Sequence, residues 1–467
     1  MTSRAWWLAS GVAAAWFLYC FGLAQVGFLS VDEPRYAWIG RAMAESGDWI
    51  TPRLYGAAWL EKPPLLYWMT AGAWKLGLRD EWAARLPVAL GALAFLALFW
   101  WCLLGEFGQE IASAAAGILA TSGGWLLYAH VAVTDMPLAV TYGAAMMLAW
   151  RGWLRCAGVC LGLAVLAKTL VPLALALPLL WWFRARWRSL GIPVLLTIAV
   201  AAPWYVAAFL RHGKALFDEL IVRHHFARFF SAQSQLLHPQ PWWFYLPVIL
   251  VLMLPWTPLM LAARPRRLWA DERTRFFVLW LGFGFMLFSL SAGKLAGYLL
   301  PLLPAASVLA GVSCVESPHS RRWLAAVAAV AGALFAAPND KLLDYVVTGP
   351  AATAVTHWAW LGLGIGLLAG WWWAGAAFMR TVAVAALLMG GLRYWAAGVA
   401  ERQTARPFAQ MADRICAEPD LHRAWRYGLS YYARREIPDC KTAPRRWHAG
   451  DSPFGIYLTD TGSGELP

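Results

Sequence analysis

The sequence has few charged residues for its length. Only 14% of its 467 residues are Asp, Glu, Lys or Arg, whereas 60% are hydrophobic and 32 are tryptophan. A soluble core does not need so many apolar residues, and repeated apolar runs of about 20 residues cross hydrocarbon as helices. The composition therefore excludes an ordinary soluble enzyme and indicates an all-α polytopic membrane protein, with tryptophans enriched at the membrane interfaces.

Several familiar signals are also missing. None of the seven cysteines has zinc-finger spacing, and no internal repeat indicates a solenoid. There is no glycine-rich phosphate loop, so we predict that the protein uses no nucleotide cofactor. Cys416 and Cys440 both fall in the C-terminal tail, where an oxidising compartment would allow them to form a disulfide.

Basic residues are concentrated in short loops between the apolar runs. The net charge of +13 could by itself indicate nucleic acid, but the arginine-rich loops alternate with neutral or acidic ones, as the positive-inside rule describes. We therefore expect these loops in the cytoplasm beside anionic membrane lipids, and no nucleic-acid partner. The marker residues are Arg151, Arg155, Arg184, Arg186, Arg188, Arg264, Arg266, Arg267, Arg273, Arg275, Arg321, Arg322 and Arg380.

These markers predict about 13 transmembrane helices with the N-terminus inside. Two assignments are open: the loop 105–110 has no basic residue, and 156–183 could be one long span. Arginines on both sides of 156–183 require an even number of crossings, so two short helices should meet at Lys168 and Thr169. The predicted spans are 6–28, 83–104, 111–128, 136–150, 156–167, 170–183, 189–209, 242–262, 276–292, 298–315, 323–337, 358–375 and 381–397.

This topology divides the chain into two domains. Residues 1–397 form a transmembrane domain with an outer-facing catalytic loop at 29–82. Residues 398–467 form a small outer-facing C-terminal α/β domain, with a helix expected at 407–417 and strand-like runs at 424–432 and 455–458. About 70 residues can bury only a limited core, so we expect this tail to dock on the membrane domain.

The outer loop begins with charged residues directly after the first span. Ser30 and Glu33 fit a capping box at a helix start, and that interpretation is compatible with a catalytic carboxylate there. Glu61 and Lys62 could be only a solvated ion pair, although Pro63 and the apolar residues that follow would hold them near lipid headgroups. Asp135 likewise fits the start of the next span, with Thr134 as its cap.

Three more residues on the outer side could carry chemistry. His225 and Arg228 are one helical turn apart, although an adjacent pair of histidines is also common on an interfacial face. Imidazole and carboxylate suit a divalent ion, so His225 and Glu61 fit a metal site. Lys294 lies between two apolar spans, where an ionisable residue suggests function unless its side chain snorkels to the surface.

Taken together, these residues resemble a known family. The chain is similar to bacterial type C glycosyltransferases that move 4-amino-4-deoxy-L-arabinose from undecaprenyl phosphate to lipid A, and to their protein O-mannosyltransferase relatives. The resemblance rests on Asp32-Glu33-x-Arg35-Tyr36, Ser46-Gly47-Asp48-Trp49, Glu61-Lys62-Pro63, Thr134-Asp135-Met136-Pro137, His225-x-x-Arg228-Phe229 and Lys294-Leu295-x-x-Tyr298-x-x-Pro301. This chain departs from the family pattern after Lys168, where it has Thr169-Leu170 and relatives commonly have Gly-Pro.

The resemblance implies a role for each matched position. Asp32 would be the catalytic acidic residue, with Glu33 beside it and Asp135 as a second acidic residue in the same cavity. Glu61 and His225 would hold a divalent metal ion of unknown identity. The substrate-binding residues would be Arg35, Tyr36, Lys62, Arg228, Lys294 and Tyr298, most of them near the lipid phosphate.

The resemblance predicts an inverting glycosyltransferase of the bacterial inner membrane, with its active site facing the periplasm. Its donor would be a polyprenyl-phosphate sugar, and its acceptor an envelope glycolipid, foremost lipid A. A protein O-mannosyltransferase is the alternative enzyme. A lipid flippase or transporter is the alternative without catalysis, but a transporter should place its ionisable groups near mid-membrane, whereas here they cluster on one predicted face.

Overall fold

The computed structural model describes residues 15–220, 222, 240–316, 404–452 and 455–461. Four helical segments in these ranges are long and apolar enough to cross a membrane: Asp80–Thr121, Arg184–His212, Glu272–Leu290 and Ala296–Glu316. They confirm a mostly helical, multi-pass membrane protein. The predicted count of about 13 spans stays a prediction, because the three spans within 323–397 lie outside the described residues.

The first loop is an ordered structure. Its helix α1 spans Asp32–Ser46, a two-stranded ribbon pairs β1 (Arg53–Leu54) with β2 (Ala57–Ala58), and α2 spans Leu65–Lys75. Asp32 and Glu33 occupy the first turn of α1, where negative charge is favourable near the N-terminal end of the helix dipole. The carboxylates of Asp32 and Glu33 therefore extend from the first turn of a helix.

The predicted capping box at this helix start is wrong in part. The residue before the helix is Val31, and no side chain caps it. Ser30 instead adopts a positive φ of 65°. The helix therefore begins one residue later than it would with Ser30 as its cap. Glu33 does reach back, but it accepts from the backbone N–H of Leu29 at 2.8 Å.

A bundle of helices follows this loop. The helices with their bounds are α3 (Asp80–Thr121), α4 (Gly123–Tyr128), α5 (Asp135–Trp150), α6 (Leu154–Lys168), α7 (Val171–Leu175), α8 (Pro178–Trp182), a 3₁₀ helix (Arg184–Leu190), α9 (Gly191–His212), α10 (Lys214–Phe217), a 3₁₀ helix (Trp242–Phe244), α11 (Tyr245–Leu252), α12 (Thr257–Leu261), α13 (Pro265–Ala270), α14 (Glu272–Leu290), a 3₁₀ helix (Ala296–Leu302) and α15 (Leu303–Glu316). The predicted junction at Lys168 and Thr169 is confirmed, because α6 ends at Lys168 and α7 begins three residues later.

The loop 105–110 lies at the same end of the bundle as the arginine-rich loops. Gly108 interrupts α3 with φ 76° and ψ 176°. Beside it, Glu106 forms an ion pair with Arg151, and its backbone carbonyl accepts from Arg273 at 3.2 Å. We call this group, with the Arg267–Glu316 pair, the arginine end. These contacts place the loop 105–110 on the side that the predicted parity requires, while the number of spans stays a prediction.

Aromatic side chains fill much of the bundle core, and two of its buried indoles have hydrogen-bond partners. The buried Trp256 indole donates to the Thr121 hydroxyl at 2.9 Å, and the buried Trp280 indole donates to the Pro301 carbonyl at 3.0 Å. Buried indoles need such partners because an unpaired N–H in a dry interior is costly. These bonds tie α12 to α3, and α14 to the 3₁₀ segment that carries Tyr298.

Residues 404–461 form a separate α/β unit, which we call the tail unit. Its elements are a 3₁₀ helix (Arg406–Arg414), β3 (Ile415–Ala417), α16 (Arg423–Ala433), β4 (Trp447–Ser452) and β5 (Gly455–Asp460). Strand β4 is central, parallel to β3 and antiparallel to β5. Cys416 and Cys440 form the disulfide that the sequence allows.

Two expectations for the tail unit are corrected. The helix expected at 407–417 ends at Arg414, and Ile415 begins a strand. The run 424–432, expected to be a strand, is helix α16. His422 precedes this helix and accepts from the Ala424 N–H at 3.3 Å, and the helix covers the small apolar core of the unit. The strand-like character of this run is thus overridden by capping and tertiary packing.

Candidate active site

The first group of candidate residues surrounds Arg35 at the start of α1. Its guanidinium pairs with the Asp32 carboxylate one helical turn earlier, and lies 3.8 Å from the Glu61 carboxylate. Arg35 is buried, whereas the Asp32 side chain is 42% exposed. We call Asp32, Arg35, Tyr36, Glu61 and Lys62 the loop cluster. The buried Arg35 guanidinium thus holds the more accessible Asp32 carboxylate in position.

Two buried phenols line the same helix start. The rings of Tyr36 and Tyr67 lie 5.7 Å apart between centroids. Burial raises the pKa of the Tyr36 phenol well above its ordinary value, and the negative charge of Asp32 reinforces this shift. Burial also raises the pKa of Tyr67. Both phenols therefore remain protonated at physiological pH, so each can donate its proton in a hydrogen bond and accept another through its oxygen.

Glu61 and Lys62 do not form the simple ion pair considered above. The Lys62 ammonium donates to the backbone carbonyl of Glu61 at 3.4 Å, while the Glu61 carboxylate faces Arg35. The two side chains thus point to different partners. The Glu61 carboxylate helps to neutralise the charge of Arg35, and Lys62 adds a second cation to the same loop.

Glu33 has a position typical of a structural residue. Its carboxylate is fully buried and pairs with Arg85 through two hydrogen bonds of 2.6 and 2.7 Å. The same carboxylate accepts from the N–H groups of Leu29 and Ala132. All of its acceptor capacity is directed at protein groups, which favours a role in attaching the loop to the bundle, and the catalytic role of Glu33 stays a prediction.

A second group lies where the first residue of α5 is beside the last residue of α6. Asp135 is the first residue of α5, and its carboxylate accepts from the Lys168 ammonium at 2.7 Å. The ammonium also lies 4.4 Å from the ring centroid of Tyr298, a distance suited to a cation–π contact. We call these three residues the span cluster. The expected Thr134 cap is absent, since its side chain makes no capping hydrogen bond.

A close backbone approach positions Tyr298. A Cβ atom at Gly297 would lie 2.8 Å from the ring of Tyr128, closer than a side chain tolerates. Only glycine allows the 3₁₀ segment to pack there, and the segment then directs Tyr298 towards Lys168. Tyr245 ties the same segment to α11, because its hydroxyl donates to the Leu295 carbonyl at 3.2 Å.

Lys294 is buried between α14 and the 3₁₀ segment. Its ammonium donates to the backbone carbonyls of Ser291 and of Gln240, the latter at 3.1 Å. It does not snorkel into open solvent, so the structural alternative for this residue is not supported. Burial lowers the pKa of Lys294, and an anion brought close to the ammonium would favour its charged form again.

A hydrogen bond of 2.9 Å from the Ala132 N–H to Glu33 connects the two clusters along the chain. Glu33 follows Asp32 directly, and Ala132 lies three residues before Asp135. Helix α5 runs from Asp135 to the residue before Arg151, and α14 runs from the residue before Arg273 to Leu290, shortly before Lys294. The loop cluster, the span cluster and Lys294 therefore lie at the end of the bundle opposite the arginine end. We call this end the active end. His225 and Arg228 lie outside the described residues, so their predicted places stay predictions.

One group of possible metal ligands occurs among the described residues, in the tail unit. It consists of Cys416, Cys440 and His448, and its two cysteines are joined in the disulfide. Glu61, the described half of the predicted metal site, faces Arg35. A metal at Glu61 would therefore need His225 and would share its carboxylate ligand with a cation.

Sequence reasoning missed two residues that the structure brings into these clusters. Lys168 served only to mark a junction between spans, although a lysine at the end of an apolar helix is itself a signal of function. Arg85 sits inside the second predicted span, and an arginine there should have prompted a search for its partner. The partner, Glu33, is 52 residues earlier, a separation that no local pattern reveals.

Similarity to known proteins agrees with this arrangement. The sequence model of the family described as "Dolichyl-phosphate-mannose-protein mannosyltransferase" matches residues 5–262. The "Undecaprenyl phosphate-alpha-4-amino-4-deoxy-L-arabinose arabinosyl transferase" of Pseudomonas aeruginosa strain UCBPP-PA14 is 32% identical over 344 residues. The match covers 68% of this chain and 61% of that relative, so the chain aligns with about three-fifths of the relative's length.

Solved structures share the fold. ArnT from Cupriavidus metallidurans in the apo state matches with a TM-score of 0.78 at 23% identity, covering 97% of this chain and 94% of that chain. ArnT from the same organism bound to undecaprenyl phosphate matches with a TM-score of 0.77 at 24% identity, covering 93% and 86%. At this identity the likeness establishes the fold alone.

Proposed function

Because the chain belongs to the dolichyl-phosphate-mannose-protein mannosyltransferase family, we propose that it is a type C glycosyltransferase of the bacterial inner membrane. It takes a sugar from an undecaprenyl-phosphate donor and transfers it to an envelope glycolipid, foremost a lipid A phosphate. The observation that carries this proposal is the active end, where an accessible carboxylate, Asp32, is backed by a buried cation in a chain similar to named aminoarabinose transferases.

The donor needs cations because breaking its glycosidic bond leaves negative charge on the departing lipid phosphate. Lys62, Lys168 and Lys294 lie at the active end, and the last two are largely buried. Fixed charges in a partly dry site stabilise developing charge more strongly than they would in water. We assign Lys62 and Lys294 to the phosphate, with Tyr298 beside them, and Arg228 as a further cation.

Asp135 and Lys168 have a shared role in this proposal. Their ion pair at 2.7 Å is largely withdrawn from solvent, so neither charge is stable there alone. Lys168 balances the negative charge of Asp135, and Asp135 keeps the ammonium directed towards the ring of Tyr298. The pair therefore fixes the positions of these side chains on the second side of the site before the substrates bind.

The duty of Asp32 depends on the acceptor. A lipid A phosphate has a second pKa near 6 and is already anionic, so Asp32 would orient the reacting groups rather than take a proton. A hydroxyl acceptor is a poor nucleophile until its proton leaves, and Asp32 would then act as general base. In both cases one displacement at the anomeric carbon inverts its configuration.

The direction of the chain in the membrane follows from its arginines. The arginine end carries short-loop arginines and belongs in the cytoplasm by the positive-inside rule. The active end, opposite to it, then faces the periplasm. The Cys416–Cys440 disulfide supports this orientation, since such bonds persist in an oxidising compartment.

A protein O-mannosyltransferase is the second candidate, because the matching family is described by that activity. It differs in acceptor, a Ser or Thr hydroxyl in place of a phosphate, and requires Asp32 to accept a proton. The relative with 32% identity carries a name that favours the lipid acceptor.

The proposal is tested by mass spectrometry of lipid A. Cells that lack their own aminoarabinose transferase but make the undecaprenyl-linked donor are compared with and without this chain. We expect a new lipid A species whose added mass identifies the sugar. Unmodified lipid A, with the chain present in the membrane and donor available, would contradict the lipid A assignment. Mannosylated periplasmic protein in the same cells would favour the second candidate.

A further inference from the structure

The tail unit contacts the loop cluster directly. The ring of Tyr427, on α16, lies 5.5 Å from the guanidinium carbon of Arg35. The rings of Trp59 and Tyr36 lie 4.8 and 5.2 Å from the same atom. Three aromatic rings therefore surround one cation, two from the first loop and one from the far end of the chain. We call these rings the Arg35 cage.

Hydrogen bonds hold the loop-facing side of α16 in place. The Tyr431 hydroxyl donates to the Asp80 carboxylate at 3.0 Å, and the Tyr432 hydroxyl donates to the Glu81 carboxylate at 2.6 Å. The Tyr432 hydroxyl also accepts from the Phe28 N–H at 2.9 Å. Tyr427 is one helical turn before Tyr431 and lies on the same face, so this docking fixes where its ring sits.

The cage replaces hydrogen bonds that Arg35 lacks. The buried Arg35 Nε atom has no hydrogen-bond partner among the described residues, while its terminal nitrogen faces Asp32 and Glu61. Aromatic faces attract a guanidinium through the ring quadrupole, most strongly away from water. The rings thus determine the plane of the guanidinium, and the guanidinium determines where the Asp32 carboxylate points.

We propose that Tyr427 is a positioning residue for the transfer reaction: from the tail unit it completes the Arg35 cage and so orients Asp32. The reaction it serves rests on the proposed function, whereas the cage itself does not. The tail unit is then part of the active site, and its correct docking is a condition for catalysis rather than only for stability.

The test compares four full-length proteins in membranes: the unmodified chain, Tyr427→Leu, Tyr427→Phe and Arg423→Leu. Arg423→Leu is the matched control, because Arg423 lies one turn earlier on the same helix and is exposed. We expect Tyr427→Leu to lower kcat about tenfold, since a desolvated cation–π contact has that size, with the donor KM changed less than twofold. Tyr427→Phe keeps the ring face and should retain kcat within twofold, as should Arg423→Leu.

A double-mutant cycle separates this role from a loss of folding. If Tyr427 acts through Arg35, then Tyr427→Leu should cost less than twofold more in an Arg35→Lys background, because lysine cannot present a planar group to the cage. The proposal is overturned if Tyr427→Leu retains full kcat, if Tyr427→Phe loses as much as Tyr427→Leu, or if the loss is undiminished beside Arg35→Lys.

A chemical measurement tests the Arg35 cage without relying on catalysis. It applies even if the unmodified chain transfers no sugar, a result that would overturn the proposed function but not the cage. Phenylglyoxal modification of Arg35, followed by mass spectrometry of its peptide, reports how well the guanidinium is covered. The rate should rise several-fold in Tyr427→Leu and remain unchanged in Tyr427→Phe and Arg423→Leu. Equal rates in all four proteins would show that no cage forms.

Discussion

The two ends of the helical bundle use the same residue types in different ways. At the arginine end, Glu106 pairs with Arg151 while both side chains remain partly exposed, at 44% and 25%. At the active end, Glu33 pairs with Arg85 and Asp135 pairs with Lys168 with little access to solvent. Exposed pairs contribute little to stability, whereas breaking a buried pair leaves an uncompensated charge.

This difference indicates two functions for charge in one membrane protein. In the proposed orientation, the exposed arginines would fix which way the chain is inserted, and any well-placed cation could serve for that. In the proposed site, the buried pairs would set the positions of the groups that face substrate, so each partner would be specific. The first four predictions below test the active end, and the fifth tests the arginine end as the reference.

The largest effect is expected for Asp32→Asn. The substitution removes the accessible charge that Arg35 orients, and transfer from the purified undecaprenyl-linked donor should fall about a thousandfold. Insertion into the membrane should be unchanged, because the side chain is partly exposed, at 42%, and lies outside the predicted spans. A variant that inserts normally and transfers sugar at the original rate would remove Asp32 from the mechanism.

Glu33→Gln should act on stability instead. It leaves the Arg85 guanidinium buried without its carboxylate, at an expected cost of about 3 kcal/mol in the free energy of unfolding. Thermal unfolding in detergent measures the loss. A variant that unfolds like the original protein but has lost transfer would instead support Glu33 as a catalytic residue.

Lys168→Met is expected to lower transfer about thirtyfold, because it leaves Asp135 without its buried partner. The variant Asp135→Asn/Lys168→Met is the control, since it removes both charges together. It should be no worse than Lys168→Met alone if the two residues act as a unit. Additive losses would show that they have separate roles.

Lys62→Met or Lys294→Met should weaken use of the donor about tenfold, as expected for a lost charge-assisted hydrogen bond to phosphate. The measurement is the donor concentration dependence of transfer, with the acceptor saturating. Unchanged donor kinetics in both variants would show that the phosphate lies elsewhere.

The smallest effect is expected at the arginine end. Glu106→Gln removes one partner of an exposed pair and should change transfer less than twofold and unfolding by less than about 1 kcal/mol. It is the matched control for Glu33→Gln. A loss as large as that of Glu33→Gln would mean that the two ends do not differ in the way described.

The predicted metal site is a separate question from the comparison of the two ends of the bundle. Glu61 could offer a ligand only together with His225, which lies outside the described residues. Treatment with a chelator should lower activity if the ion takes part, and returning a divalent ion should restore it. Full activity in the chelator would make a catalytic ion at Glu61 untenable.

Much of the active end could be predicted from the sequence because its residues interrupt apolar runs. Asp32, Glu61, Asp135 and Lys294 stand out against a background in which charge is expensive. The junction at Lys168 followed from the parity of the arginine-rich loops. Such signals are local, and a single sequence contains them.

The pairings could not be predicted in the same way. Arg85 meets Glu33 across 52 positions, and Lys168 meets Asp135 across 33. Tyr427 meets Arg35 only because α16 is a helix that docks on the first loop, whereas the sequence indicates a strand-like run at 424–432. Long-range burial selects among partners that look equivalent in sequence, so these contacts required coordinates.

The central claim is that the donor phosphate binds at the active end. An experimental structure of this protein with undecaprenyl phosphate tests it most directly. We predict that the phosphate lies within hydrogen-bonding distance of Lys62 or Lys294, on the same side of the bundle as the Asp32 carboxylate. A phosphate bound among Arg151, Arg267 and Arg273, at the opposite end, would contradict the account.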